Sequence, residues 1–175
     1  MQAKHEIERQ LENFKENQLI FASRLYRQSL SDTVSESAYY KTLERMCQQN
    51  TLAHVSRGIY CKPARGKYGI RLPSERDVIH EFTREGNGTV IGYALYNHLN
   101  LTTQVPKLID VYSSLPEQQT KRIGSVRLTQ KELKYSPEAV RMIQILEVLK
   151  NYSEIQDLNQ RQFIKLCEEF APHYS

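Results

Sequence analysis

Three observations predict an α+β chain in two parts. Residues 4–49 hold three short segments with apolar residues at helical spacing, and a tight hairpin pattern follows at once at 52–61. A basic stretch containing Pro and Gly, PARGKYGIRL at 63–72, then interrupts the pattern. Beyond it helical and strand-like segments mix, and the chain closes on two helices. The expected division is residues 1–71, three helices and a hairpin, then residues 72–175, a mixed α/β region with C-terminal helices.

Each element has a local reason. Residues 4–16 carry Ile7, Leu11 and Phe14 on one helical face. Residues 19–28, LIFASRLYRQ, read as a second short helix. Thr33 to Glu36 has the Thr-x-x-Glu form of a capping box, which opens a third helix running to about Gln49. In LAHVSRGIYC apolar and polar residues alternate about Arg57-Gly58, as a hairpin turn requires. The stretch 63–72 reads as a linker or an extended arm of that hairpin.

In the second part Ser74 caps a helix to about Glu85, and Gly86-Asn87-Gly88 turns the chain. Residues 91–99 are expected to be helical, although TVIGYALY also reads as the start of a strand. Residues 108–113 and 121–129 are expected as strands. Ser136-Pro137 starts a helix, expected to bury Ala139, Ile143, Leu146 and Leu149 or their neighbours. Asp157 is expected to cap a last helix ending before Pro172.

Charge is distributed unevenly. Residues 1–71 hold twelve of the 24 Lys and Arg but only seven of the 20 Asp and Glu, so the whole excess of positive charge lies at the front. An anionic partner, most simply nucleic acid, is the expectation for that part; a solvated basic face is the alternative. Cys47, Cys61 and Cys167 form no CxxC pair, which predicts reduced thiols in a cytoplasmic protein. The segment MQAKHEIERQLENF lacks the apolar centre of a secretion signal, and no apolar run is long enough to span a bilayer, so no membrane partner is expected.

Three short helices followed by a two-stranded hairpin is the order of a winged helix-turn-helix. In such modules the third helix enters the major groove and the hairpin lies along the phosphates. At 100° per residue, Tyr39, Leu43, Met46 and Cys47 share the face that would bury. Ser37, Ala38, Lys41, Arg45 and Gln48 share the opposite face. Small residues there allow close approach, Lys and Arg reach phosphates or guanine edges, and Gln reaches adenine. Arg57, Lys62, Arg65 and Lys67 surround the hairpin as candidate backbone contacts. Glu44 at the margin opposes phosphate.

A second segment, GYALYNHLNLTTQVP at 92–106, joins the first in a combined pattern. LERMCQQNTLAHVSRGIY together with GYALYNHLNLTTQVP resembles the AbiEi-type antitoxins, regulators paired with nucleotidyltransferase-like toxins in type IV toxin–antitoxin systems. The resemblance covers roughly residues 15–130. The family's Leu-x-x-Leu helix end and Arg-Gly-aliphatic-Tyr strand fall on Leu43, Met46 and Arg57-Gly58-Ile59-Tyr60. Its second motif falls on Gly92, Leu99-Asn100-Leu101, Thr102-Thr103-Gln104 and Val105-Pro106. Asn100 replaces a Gly at a helix end, and Gln49-Asn50 also stands where Gly is frequent; Asn tolerates the left-handed backbone that such ends need.

The resemblance implies a cytoplasmic DNA-binding repressor that acts on the operator of its own operon. It would counteract a toxin functionally rather than through a tight complex, as a monomer or homodimer. It also allows a regulator with no toxin. A protein-interaction module using the same fold as a docking surface is the alternative. No catalytic residue, metal or cofactor is expected: His5, His54, His80, His98 and His173 have no ligand spacing, and Gly66-Lys67 is followed by Tyr, unlike a phosphate-binding loop. Thr102, Thr103 and Gln104 read as a structural loop or a partner contact.

Overall fold

The computed structural model describes residues 2–67 and 69–173; residues 1, 68, 174 and 175 and the side chains of Gln2, Ala3 and His173 lie outside the described residues. The chain is mixed α and β and divides into two compact units, Met1–Glu81 and Phe82–Ser175. The division therefore falls later than the expected 71/72 boundary.

The first unit opens with α1 (Gln2–Glu12), whose Ile7 and Leu11 are buried. The expected helix at 19–28 begins instead as a strand, β1 (Ile20–Phe21), and only Ala22–Ser29 is helical (α2). Pairing decides this: Ile20 and Phe21 lie opposite Tyr60 and Ile59 in an antiparallel ladder. Helix α3 spans Glu36–Gln48, with Ser35 rather than Thr33 at its N-cap. The Thr33 hydroxyl donates to the Leu30 carbonyl, so the expected capping box is not formed. The hairpin is present as β2 (Ala53–Ser56) and β3 (Ile59–Cys61), and the sheet order is β1-β3-β2. Residues 63–72 are not a plain linker but a second small hairpin, β4 (Ala64–Gly66) and β5 (Gly69–Arg71). Ile20, Leu25, Leu30, Tyr39, Leu43 and Leu52 join Ile7 and Leu11 in one core.

Ser74 starts α4 (Glu75–Thr83) as expected, through a reciprocal box. The Asp77 amide donates to the Ser74 hydroxyl, while the Ser74 amide and hydroxyl donate to the Asp77 carboxylate, both at 2.7 Å.

In the second unit TVI of the ambiguous segment is a strand, β6 (Gly88–Ile91), and the helix α5 is confined to Gly92–His98. Strand β7 (Ile109–Ser113) pairs with β6 antiparallel and with β9 (Val126–Gln130) in parallel. The expected single strand 121–129 is broken into β8 (Thr120–Ile123) and β9, because Gly124 takes a φ of 56° and reverses the chain. Sheet order is β6-β7-β9-β8. Gly88 is required where it stands: a Cβ would lie 2.3 Å from the Tyr112 carbonyl oxygen.

Helix α6 (Pro137–Asn151) begins at Ser136, whose hydroxyl accepts from the Ala139 amide. It buries Ile145 and Val148, whereas Leu146 and Leu149, expected inside, are exposed. The last helix, α7 (Gln160–Phe170), is capped by Asn159 and not by Asp157, which has a φ of 52° and sits in the preceding turn. Leu95, Tyr96, Leu101, Val148 and Ile155 form a core shared by α5, α6 and the approach to α7.

Candidate nucleic-acid interface

Helix α3 is fixed by what it buries. Tyr39 and Leu43 are fully enclosed, and the Tyr39 ring packs against Tyr26 and Tyr40 with centroids 5.3 and 5.2 Å apart. Its hydroxyl donates to the Ala22 carbonyl at 3.1 Å. Burial holds this phenol well above the usual tyrosine range, so it is neutral at any physiological pH. At its C-terminus the Thr51 amide reaches the Met46 carbonyl and the Asn50 amide the Cys47 carbonyl, both at 3.0 Å. This is a Schellman closure with Asn50, φ 56°, in the left-handed position.

With that face locked, Ser37, Lys41, Glu44, Arg45 and Gln48 are all exposed on α3. Ala38 is not part of the open face: it is half-buried and packs against the core.

The hairpin after α3 is tied back to α2. Gly58, φ 72°, makes the turn, and its carbonyl accepts from the Ala22 amide at 3.0 Å. Ile59 and Cys61 point inward; burial raises the Cys61 thiol to about 11, so it carries no thiolate near neutrality. Tyr60 is half-buried and meets His54 edge-on at 5.4 Å. Arg57 is exposed beside the turn.

Lys62 has a different place from the one expected. Its ammonium donates to the Glu12 carbonyl at 3.3 Å and the Phe14 carbonyl at 3.0 Å, where α1 ends. The Asn17 amide in turn donates to the Lys62 carbonyl at 2.8 Å. The side chain thus caps the negative end of α1 and holds it to the exit of β3. Arg65 and Lys67 are exposed on the β4–β5 hairpin, Lys67 at its turn. Arg71 and Arg76, which are not among the expected contacts, line an open cavity of about 500 Å³ with Ser74, Asp77 and His80. The Arg76–His80 spacing on α4 was the available signal, since it puts both on one helical face.

The Thr102–Gln104 loop lies in the second unit and is occupied by internal bonds. Thr102 is buried; its hydroxyl donates to the Gln156 carbonyl at 2.7 Å and accepts from the Gln104 amide at 3.2 Å. The Asn97 side-chain amide donates to the Thr102 and Gln104 carbonyls, both at 3.3 Å. The Gln104 side chain donates to Asp157 at 2.6 Å. Thr103 is exposed between them. The helix before the loop ends as α3 does: Asn100 has φ 57° and the Leu101 amide reaches the Tyr96 carbonyl at 2.9 Å. These bonds latch the end of α5 to the turn that starts α7.

Among the described residues no three His, Cys, Asp or Glu side chains converge on a metal-sized site, and no helix is long and apolar enough to cross a membrane. His54 and His98 are both exposed.

The fold defines a two-unit α+β protein whose third helix exposes Lys41, Arg45 and Gln48 beside Glu44. Over residues 6–166 the chain matches the model described as "Family of unknown function (DUF6088)", and it belongs to that family. No curated protein and no solved structure matches it.

Proposed function

We propose that this chain is a DNA-binding transcriptional regulator whose first unit is a winged helix. The observation that carries the reading is the exposed face of α3, where Lys41, Arg45, Gln48 and Ser37 stand opposite the buried Tyr39 and Leu43. The order helix, strand, helix, helix, hairpin, with β1 added to the hairpin, supports it. So does the concentration of positive charge at the front of the chain. Arg45 and Gln48 read base edges; Lys41, Arg57, Arg65 and Lys67 contact phosphates. Lys62 drops out of the contact set because its ammonium serves α1.

The resemblance to the AbiEi-type antitoxins supports a narrower form: a repressor of its own operon that counteracts a nucleotidyltransferase-like toxin without a tight complex. The test of the broad form is fluorescence anisotropy with DNA from upstream of the protein's own gene against scrambled DNA, over a salt series. Selective binding that persists near physiological salt is expected. Equal, weak binding that disappears for both DNAs overturns the reading and favours a protein-docking role. The narrow form is tested at the adjacent reading frame: it expects a nucleotidyltransferase-like gene whose toxicity is relieved on co-expression, and the absence of such a gene, or no rescue of growth, overturns it.

A further inference from the structure

Residues 45–74 contain no Asp or Glu, yet they hold Arg45, Arg57, Lys62, Arg65, Lys67 and Arg71. Positive charge thus runs unopposed along the sequence from the last turn of α3 to the start of α4. The last part of this run is the β4–β5 hairpin, and its register sorts the side chains. Arg65 lies opposite Ile70 on one face, and Arg71 lies opposite Ala64 on the other. Gly66 and Gly69 pair on the Ala64 face, so Arg71 is the one long side chain there among the paired residues. Ala64 is buried, so this is the face on which the foot of the hairpin packs. There Arg71 joins Arg76 and His80, one turn apart on α4, around the open cavity of about 500 Å³. Among the described residues neither guanidinium has a hydrogen-bond or ion-pair partner. Asp77, the carboxylate in the lining, accepts the amide and the hydroxyl of Ser74, both at 2.7 Å, within the capping turn. Two guanidiniums against one carboxylate leave the cavity net positive, and His80 adds a ring N–H donor.

We infer that this cavity, at the junction of β5 and α4, binds a phosphate group held by Arg71 and Arg76. The planar fork of arginine matches two phosphate oxygens at a time, which a single ammonium does not. The end of α4 is not what binds: its Asp77 amide is already taken by the Ser74 hydroxyl.

The same chemistry has two sources, a phosphodiester of a nucleic-acid backbone or a free phosphorylated compound. The unopposed positive run that ends at the cavity favours the backbone, as do Arg65 and Lys67 on the same hairpin. In that form the site rests on the reading of the chain as a DNA-binding regulator. It carries the phosphate contacts beyond the β2–β3 hairpin to the foot of β4–β5.

The test compares the full-length wild type with Arg71→Gln/Arg76→Gln in two titrations. Both arginines are exposed, so the far-UV circular dichroism of the variant should be unchanged. Arg141→Gln/Lys150→Gln, two exposed cations of the second unit, controls for net charge. The first titration is with DNA from upstream of the protein's own gene over a salt series. The salt slope should fall by about one unit or more in the variant and not in the control. The second is calorimetric, with sodium pyrophosphate at low salt, where affinity should fall about tenfold or more in the variant alone. A lowered slope puts a backbone phosphate in the cavity. Loss of pyrophosphate affinity with an unchanged slope keeps the site and gives it a free phosphorylated ligand. The same loss with no DNA binding by the wild type keeps the site and overturns the regulator reading alone. A variant that matches the wild type in both titrations, or a control that loses as much, overturns the site.

Discussion

At the scale of single residues, geometry separates cations that hold the fold from cations that face outward. Lys62 and Lys41 are both lysines in the basic first unit, yet Lys62 donates to two backbone carbonyls and Lys41 stands exposed on α3. Lys62→Met is therefore expected to destabilise the protein by about 1 kcal/mol in urea unfolding, with an unchanged salt slope of DNA binding. Lys41→Ala is expected to do the reverse, leaving stability alone and lowering the salt slope by about one unit. Asn100 shows the same logic in backbone terms. It holds a left-handed φ at the end of α5, so Asn100→Val should cost about 1–2 kcal/mol and Asn100→Gly almost nothing, measured by thermal unfolding. Asp77 sets a pH dependence. Hydrogen bonds from Ser74 hold its carboxyl below the usual range, so its ionised form is the one the fold prefers. The stability gap between wild type and Asp77→Asn should be full at neutral pH. It should shrink as pH falls below the ordinary aspartate range and vanish below the lowered folded value.

At the scale of elements, the helix starts at Ser74 and Ser136, the β2–β3 hairpin and β7 were legible, whereas the caps expected at Thr33 and Asp157 were not formed and β1 and the break between β8 and β9 carried no local signal. Ser136-Pro137 and Ser74 name their helix starts because the stop and start chemistry is local. The two residues of β1 carry no such signal: Ile20-Phe21 is as compatible with a helix as with a strand, and only the partner β3, far along the chain, decides. The β4–β5 hairpin escaped because β5 is exposed throughout and shows no apolar alternation. The two faces of α3 were legible because their periodicity is clean, apart from Ala38, which is small enough to tuck into the core. The buried face of α6 was not, because its apolar residues spread over a wide arc and periodicity alone cannot say which part of it is inner. The Thr102–Gln104 latch was visible only as a polar loop, since its partners Gln156 and Asp157 lie more than fifty residues away. If the buried face is what presents α3, Leu43→Ala should cost about 2–5 kcal/mol in chemical unfolding and weaken DNA binding only through loss of folded protein.

At the scale of the whole molecule, the proposed regulator has its recognition chemistry in the first unit. The second unit contributes a mixed sheet with helices. The central claim is that the exposed face of α3 reads base edges in DNA. The most direct measurement is the affinity of wild type and Arg45→Ala for operator DNA and for single base-pair variants of it, at one fixed salt concentration. Loss of about 1–3 kcal/mol on the native operator, with the penalty for changing one particular base pair abolished in the variant, is the predicted result. Identical affinities and identical base preferences for the two proteins would contradict it.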